Sequence, residues 1–305
     1  MSKRKKSRLL QRAEYVLYRI ISRSVRVAGE DRLYRWGGRL GTLAGKLLRG
    51  RNRLALRNLH ATFPGRSDRE LRTMLEECWR HFGRQSLFYV RMQGMTTEEV
   101  MASCDVVNRE IFDDALALGR GLILISAHLG SWEVGGMVVL SLSDDVRTVT
   151  RRLDNQYLER EATSLRASTG AKIIDRRNAA RPLLKALTEK AAVVILPDQA
   201  VLPREGVRVP FLGRPAWTTP APAKLAVRHD SPIVFVFCIP QKTRHRLEFT
   251  EQIRVDQLTE AEKGAVALTT RINDVISRRI TAQPELWLWM HDRWKGTGGS
   301  EIADG

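Results

Sequence analysis

A histidine and a glutamate lie five residues apart, directly after an apolar run with the composition of a buried strand. The segment SAHLGSWEVGG at 126–136 follows GLILI at 121–125 and contains His128 and Glu133. A histidine can take a proton from a hydroxyl near neutral pH, and a carboxylate beside it fixes the imidazole tautomer and stabilises the imidazolium. The spacing therefore indicates a general base, although a structural histidine held by a neighbouring carboxylate fits the same pattern.

No serine or cysteine nucleophile stands out beside the histidine, although Ser126 and Ser131 keep that possibility open. Without one, the reacting hydroxyl belongs to the substrate, and the reaction is direct attack of an acceptor alcohol on an activated acyl group. We expect no metal ion, because the His-x4-Glu spacing differs from the two-histidine helical zinc motif and no third ligand is obvious. We likewise expect no cofactor.

The elements around this segment are those of an α/β fold. Strand-like runs at 121–126, 146–150, 171–175, 192–196 and 233–239 alternate with helical stretches at 132–143, 155–168, 178–189 and 217–229. This alternation predicts a mainly parallel sheet sandwiched by helices. Ligands collect at the carboxyl ends of strands in such sheets, and His128 lies at one of these ends. Gly130 lets the chain turn sharply and approach a substrate closely, and Trp132 and Glu133 begin the next helix.

The first 95 residues are predicted to be a helical extension. Capping boxes at Ser67–Glu70 and Thr96–Glu99 open helices, and a third box at Thr259–Glu262 opens a last helix that runs to about residue 281. A helix over about 30–49 contains Gly37 and Gly41, whose spacing permits close approach of a second helix.

Positive charge is concentrated at the N-terminus. Residues 1–60 contain 17 Lys and Arg and three acidic residues, so this segment carries nearly all of the net charge of +17. Such an excess indicates an anionic partner, which can be a membrane leaflet, a nucleic acid or an acidic protein, although a solvated basic tail has the same composition. The three cysteines form neither a disulfide framework nor a zinc pattern and suit a reducing compartment.

Residues 10–28 are predicted to form a basic amphipathic helix that lies in a membrane interface or packs on its own domain. One face carries Leu17, Ile20, Ile21 and Ala28, and another carries Arg12, Arg19, Arg23 and Arg26. No run reaches the roughly 18 apolar residues of a spanning helix, and the arginines interrupt any signal-peptide core. We expect a cytoplasmic protein.

Six short segments, in order, resemble those of the late acyltransferases of lipid A biosynthesis, within the lysophospholipid acyltransferase superfamily. They are ALRNLHATFP (55–64), HLGSWE (128–133), VTRRLDN (149–155), LPDQ (196–199), VPFLG (209–213) and LWLWMHDRW (286–294). The resemblance covers about residues 50 to 296. It implies a glycerophosphate-acyltransferase-like fold for that part of the chain. Together with the charge pattern, this predicts a basic membrane-contact region at 1–50, an acyltransferase domain at 51–296 and a flexible tail at 297–305.

The resemblance also implies roles for individual residues. His128 would be the general base on the acceptor hydroxyl, and Glu133 would orient it and balance its charge. Arg151 would bind a substrate anion or steady the oxyanion, and Asp198 would support that arrangement, although each can instead be a surface charge or a turn cap. Gly130 and Trp132 would contact substrate. Trp287, Trp289 and Trp294 are either core or interfacial aromatics.

The substrates that the resemblance implies are an acyl thioester, on acyl carrier protein or coenzyme A, and a lipid A precursor or related glycolipid. Other lipid acceptors remain open: a lysophospholipid, an ornithine lipid or a phosphatidylinositol mannoside. Relatives have an apolar N-terminal helix where this chain has arginines, which favours peripheral attachment to the cytoplasmic face of the bacterial inner membrane. A non-enzymatic basic protein that binds membrane or nucleic acid is the alternative of another class, but no nucleic-acid motif is present.

Overall fold

The computed structural model describes residues 7–143, 145–150, 154–168, 172–175 and 179–297, and places helices on both faces of a seven-stranded sheet built from them. The strands of these residues are β1 Cys104–Val107, β2 Leu122–Ile125, β3 Val146–Thr150, β4 Lys172–Asp175, β5 Ala192–Ile195, β6 Val207–Phe211, β7 Arg214–Thr218, β8 Ile233–Gln241 and β9 Arg244–Ile253. The sheet order is β1-β9-β8-β2-β5-β3-β4, and β6 and β7 form a separate hairpin.

Helices precede, connect and follow these strands. They are α1 Arg8–Val27, α2 Glu30–Leu47, α3 Arg49–Thr62, α4 Asp68–Met92, α5 Thr97–Ala102, α6 Arg109–Ala117, α7 Trp132–Leu142, α8 Gln156–Ser168, α9 Ala180–Thr188, α10 Ala221–His229, α11 Glu260–Lys263 and α12 Ala265–Ala282. The three predicted capping boxes are confirmed.

The predicted fold class is confirmed, because each described pair of neighbouring strands in the large sheet is parallel except β8 with β9. Two predictions of detail were wrong. The last helix is broken at Gly264 into α11 and α12, and the helix expected over 217–229 begins only at Ala221 because β7 runs to Thr218. The strands β1 and β9 and the β6–β7 hairpin were not predicted.

Apolar side chains alternate between the two faces of the central strands, which accounts for helices on both sides. In β2, Ile123 and Ile125 pack with α3, α4 and α12, whereas Leu122 and Leu124 pack with α6 and α7. All four side chains are fully buried. A strand buried on both faces in this way has a continuous apolar sequence, as LILI does.

The glycines of α2 bring its backbone against that of α4. A Cβ atom at Gly37 would lie 2.5 Å from Arg84 Cα, and one at Gly41 would lie 2.0 Å from the carbonyl oxygen of Trp79. These distances leave no space for a methyl group. The close helix approach predicted from the Gly37–Gly41 spacing is therefore confirmed, and it occurs within this chain.

Substituting Gly41 with alanine is expected to lower the free energy of unfolding by about 1–3 kcal/mol or more, because the new methyl overpacks backbone that cannot retreat. Urea unfolding measures this change. The matched control is Gly50→Ala in α3, where a Cβ meets nothing within 4 Å. That control should stabilise the protein slightly, since alanine has the higher helix propensity. Equal stability of Gly41→Ala and wild type would contradict the described packing of α2 on α4.

The helices α1 and α2 each expose a row of large apolar side chains. These are Leu9, Leu10, Val16, Leu17, Ile20 and Ile21 on α1, and Trp36, Leu40, Leu43 and Leu47 on α2, which we call the N-terminal apolar surface. Ala28, predicted on the same face as Leu17, is instead buried. Through the described residues, no helix combines the length and apolar character needed to cross a membrane.

Candidate active site

His128 and Asp198 meet at the carboxyl edge of the sheet because two neighbouring parallel strands deliver them in register. Ile125 of β2 pairs with Ile195 of β5, and each functional residue follows three positions later. Nδ1 of His128 lies 2.8 Å from Oδ1 of Asp198. The histidine side chain is 22% exposed and the aspartate side chain 1% exposed, so the carboxylate is enclosed while the ring reaches the surface of a pocket.

Three N–H groups converge on the Asp198 carboxylate. The backbone N–H of His128 donates to Oδ2 at 2.8 Å, the indole Nε1 of Trp287 donates to the same oxygen at 2.9 Å, and Nδ1 of His128 donates to Oδ1. Burial raises the pKa of Asp198, but the charge of His128 and these hydrogen bonds outweigh burial and leave the pKa below its usual value. Asp198 is therefore an anion that only accepts hydrogen bonds.

This arrangement fixes the tautomer of His128. Because an ionised carboxylate cannot donate, Nδ1 carries the hydrogen, and Nε2 of the neutral ring is left as an acceptor. The side-chain nitrogen of Gln199 lies 3.2 Å from Nε2. The ring can thus accept a proton at Nε2 while Asp198 stabilises the imidazolium from the opposite side.

The loop that carries His128 is held through its backbone on several sides. The carbonyl of His128 accepts from Leu288 N at 3.1 Å, Gly130 N donates to Leu286 O at 2.9 Å, and Ser131 N donates to Cys238 O at 2.8 Å. Every one of these partners belongs to another element, so the ring is placed by a loop with little freedom.

Gly130 makes the predicted turn with a φ of +63°, where glycine is favoured. Gly130 packs closely against β8. A Cβ atom at this position would lie 2.2 Å from the carbonyl oxygen of Cys238. The glycine is thus required for packing of the loop against this strand. Nε2 of His81, on α4, donates to the Gly130 carbonyl at 3.0 Å. Burial lowers the pKa of His81 to about 4, so its ring is neutral at pH 7.

The segment after α12 brings Trp287 to Asp198. The buried amide of Asn58 donates to the carbonyls of Trp289 and His291 at 3.0 and 3.1 Å, and the Cys78 thiol donates to Trp287 O at 3.2 Å. The segments 55–64 and 286–294, which the sequence analysis treated separately, are therefore one structural unit. Trp287, Trp289 and Trp294 are at most 2% exposed and belong to the core.

Trp132 and Glu133 begin α7 as predicted and line the same pocket as His128. The Trp132 ring lies 5.5 Å from the His128 ring and 5.6 Å from that of Phe82. Glu133 is exposed, in contrast to Asp198. Arg151, the predicted anion-binding residue, lies outside the described residues, as does nearly all of the predicted tail at 297–305.

A pocket of about 630 Å³ opens beside His128. Its polar lining includes Ser126, Glu133 and Gln199. Its apolar lining includes Met137, Val139, Leu140, Val194, Leu196, Val236 and Leu247. This size lies within the roughly 300–1,000 Å³ of small-molecule sites, and a mostly apolar wall with a few convergent polar groups is typical of them. A cavity of about 800 Å³ along α4 lacks both His128 and Asp198, so we assign the chemistry to the smaller pocket.

Among the described residues, no three His, Cys, Asp or Glu side chains lie close enough together to hold a metal ion. The polar groups that line this pocket include the imidazole of His128, the carboxylate of Glu133, the amide of Gln199 and the hydroxyl of Ser126. A histidine fixed by a buried carboxylate beside an apolar pocket can deprotonate the hydroxyl of a substrate that also carries a hydrocarbon chain.

Comparison with known sequences assigns the family. The family described as "Bacterial lipid A biosynthesis acyltransferase" matches residues 1–296. The chain belongs to this family. An acyltransferase is an enzyme, so the alternative of a non-enzymatic basic protein was wrong.

The proteins that this chain resembles are distant in sequence. Phosphatidylinositol mannoside acyltransferase of Mycobacterium tuberculosis (strain H37Rv) is 28% identical over 60% of this chain, and the match spans 57% of that enzyme. Lipid A biosynthesis lauroyltransferase of Escherichia coli (strain K12) is 24% identical over 86% of this chain and 85% of its own length. The crystal structure of the 1-acyl-sn-glycerophosphate acyltransferase PlsC from Thermotoga maritima covers 80% of this chain and 96% of that one, with 12% identity and a TM-score of 0.39.

Three residues that contact the site were not predicted to do so: Gln199, His81 and Trp287. Gln199 directly follows Asp198 at the carboxyl end of β5, and that position was a signal for it. His81 had no such signal, because it lies within the amphipathic pattern of α4 and contacts the site only through a backbone carbonyl.

Proposed function

We propose that this acyltransferase moves a fatty acyl chain from a thioester to a hydroxyl of a lipid A precursor or related glycolipid, with His128 as the general base. The observation that carries the proposal is the buried Asp198 bound to Nδ1 of a histidine whose ring borders an apolar pocket. His128 Nε2 takes the proton of the hydroxyl as its oxygen attacks the thioester carbonyl. The same proton then passes to the departing thiolate.

The pocket supports a hydrocarbon substrate. Aliphatic side chains of α7, β5, β8 and β9 line it together with His128. Removing an acyl chain from water is favourable by about 0.8 kcal/mol for each buried CH₂ group, so this lining favours a long chain over a short one. An acyl group seated there would present its thioester carbonyl near the base.

The other predicted site residues enter the proposal with separate roles. Asp198 holds the tautomer and balances the imidazolium, which makes it the partner of Nδ1. Glu133 contributes negative charge at the same pocket and completes the His-Glu dyad of the motif. Arg151 binds a substrate anion or the developing oxyanion. Trp132 limits the space above the base, and Gly130 shapes the loop.

We propose the acyl acceptor and the acyl donor as classes of molecule. The lipid A lauroyltransferase aligns over 85% of its own length, which supports a lipid A precursor as acceptor. The mannoside acyltransferase has the higher identity, 28%, over a shorter segment and makes a phosphatidylinositol mannoside the second candidate. The donor is acyl carrier protein or coenzyme A carrying the thioester, and no cofactor takes part in this mechanism.

The N-terminal apolar surface supports attachment to a membrane. Its exposed leucine, isoleucine and tryptophan side chains lie on helices that also carry many arginines. Apolar insertion and attraction to anionic lipids add in such helices. We propose that residues 1–50 hold the enzyme on the cytoplasmic face of the bacterial inner membrane, where a lipid acceptor is available.

An acyl-transfer assay tests the function. Purified protein with anionic vesicles would receive labelled acyl carrier protein or acyl-coenzyme A, and a lipid A precursor, a phosphatidylinositol mannoside, a lysophospholipid or an ornithine lipid. We expect an ester product with the lipid A precursor. A product from another acceptor only would reassign the acceptor. Folded, vesicle-bound protein that makes no ester from any pair would reject acyl transfer to these lipids.

Replacing Leu40 and Leu43 with serine is expected to reduce binding to anionic vesicles roughly tenfold, because two half-exposed leucines no longer insert. Co-sedimentation with vesicles measures the bound fraction. Val266→Ser is the matched control, since Val266 is similarly exposed, at 56%, but lies on α12. If Val266→Ser loses as much vesicle binding as the double variant, or if the double variant loses none, the membrane-binding surface lies elsewhere. An excess of DNA that releases wild type from vesicles would indicate a purely electrostatic contact.

A further inference from the structure

We propose that Gln199 is a further catalytic residue, whose side-chain amide caps Nε2 of His128 before the substrates bind and then donates a hydrogen bond to the oxyanion during acyl transfer. The inference rests on the proposed function, because it assigns a role in the same reaction. It starts from the contact between the amide nitrogen of Gln199 and Nε2 of His128, at 3.2 Å.

Asp198 determines which group donates and which accepts in this contact. Since Nδ1 of His128 carries the hydrogen, Nε2 of the neutral ring accepts, and the Gln199 amide donates to it. The nitrogen that must take the substrate proton is therefore already hydrogen-bonded. An acceptor hydroxyl needs that same lone pair, so the amide has to turn aside when the hydroxyl arrives.

The displaced amide stays close to the reacting atoms. Gln199 is half-buried, follows the fixed residue Asp198 and lines the pocket together with His128 and Trp132. In a reactive arrangement the attacked carbonyl carbon lies about 3–3.5 Å from the hydroxyl oxygen. An amide that leaves Nε2 by a change of side-chain torsion can thus reach the carbonyl oxygen of the thioester.

Four backbone N–H groups near the base donate to other partners. The N–H of His128 donates to Asp198, that of Gly130 to Leu286 O, that of Ser131 to Cys238 O, and that of Ala200 to Nε2 of His291 at 3.1 Å. These four N–H groups cannot serve the oxyanion without breaking the bonds that position the loop. A side-chain donor on the pocket wall has no such conflict.

In the proposed step, the hydroxyl proton moves to Nε2 of His128 and the oxygen forms a bond to the thioester carbonyl carbon. The carbonyl electron pair moves to the oxygen, and the Gln199 N–H donates to the resulting oxyanion. When the pair returns, the carbon–sulfur bond breaks, and the thiolate takes the proton from Nε2. The products are one ester and one thiol, and His128 is neutral again.

The first test is Gln199→Met, which keeps the length of the side chain and removes the donor. Loss of one oxyanion donor lowers kcat by about 10²–10³-fold, and KM for the acceptor should stay constant or fall, because the hydroxyl no longer competes with the amide. The matched control is Gln257→Met, at an exposed position outside the pocket, which should leave kcat unchanged. A kcat for Gln199→Met equal to that of wild type would overturn the inference, as would an equal fall in the control.

The second test is Gln199→Glu, read as a pH profile. A carboxylate beside Nε2 stabilises the imidazolium, so the neutral base is reached only at higher pH, and the acid limb of kcat/KM should move upward. The Gln199→Met variant should leave the acid limb of kcat/KM near its wild-type pH. An unmoved limb in the glutamate variant would show that residue 199 does not contact the base. Failure of the proposed function is distinct: wild type itself would then form no ester.

Discussion

Replacing His128 with asparagine is expected to lower kcat for acyl transfer by about 10²–10⁴-fold, the usual contribution of a positioned general base. The asparagine amide nitrogen lies near the position of Nδ1, so it can still donate to Asp198, but nothing remains at the position of Nε2. The variant therefore removes the base while the buried carboxylate keeps a donor. Ester formation under saturating thioester and acceptor measures the loss.

A companion variant separates catalysis from folding. His128→Ala also removes the side-chain donor to Oδ1 of Asp198, while Trp287 still donates to Oδ2. A buried oxygen without a donor costs about 1–3 kcal/mol, so the alanine variant should be the less stable of the two. Thermal unfolding of both proteins checks that difference. Both should be equally inactive, since neither has a base. An asparagine variant that turns over at the wild-type rate would exclude His128 as the general base.

Replacing Asp198 with asparagine is expected to lower kcat by a similar factor, on the order of 10²–10⁴, although His128 itself is unchanged. The Asp198 carboxylate accepts hydrogen bonds from three N–H groups. An asparagine amide would place one oxygen and one NH₂ group at the positions of the two carboxylate oxygens. An NH₂ group facing Nδ1 favours the tautomer with hydrogen on Nε2. That tautomer cannot accept the substrate proton, and the imidazolium also loses its counter-charge.

The control for this substitution is Asp113→Asn, which changes an exposed carboxylate of α6 that pairs with Arg109. It should alter neither kcat nor KM, because exposed ion pairs contribute little and this one is remote from the pocket. Measuring the folded fraction of Asp198→Asn by circular dichroism allows kcat to be expressed per folded molecule. If that corrected kcat equals the wild-type value, Asp198 only supports the fold.

The sequence indicated His128 and Asp198 as candidate site residues, Asp198 only through the family resemblance, but it did not predict that their side chains meet. Each follows an apolar strand, and the carboxyl ends of strands are where function collects in such folds. Between β2 and β5 in the chain lie two more strands, β3 and β4, yet β2 and β5 are neighbours in the sheet. Strand order results from packing of the whole sheet. Before the strand order is known, Glu133 is nearer to His128 in the sequence than Asp198 is.

The strands that were not predicted differ in how clearly their sequences indicate a strand. β9 alternates buried His245, Leu247 and Phe249 with more exposed residues, a period-two pattern that periodicity alone can detect. β1 has four residues, too few for a period. The β6–β7 hairpin contains prolines that argue against a strand, and it turns at Leu212 and Gly213, both with positive φ.

The contact between Trp287 and Asp198 has a consequence for the order in which the enzyme is made. Synthesis proceeds from the N-terminus, so the base, its carboxylate and the strands that carry them exist before the indole that completes their surroundings. The Leu288 N–H that ties the His128 carbonyl comes later still. A growing chain can thus assemble the sheet through β9 without a finished catalytic centre. The hydrogen bonds that hold the Asp198 carboxylate and the His128 loop are therefore complete only after the segment that follows α12 has docked.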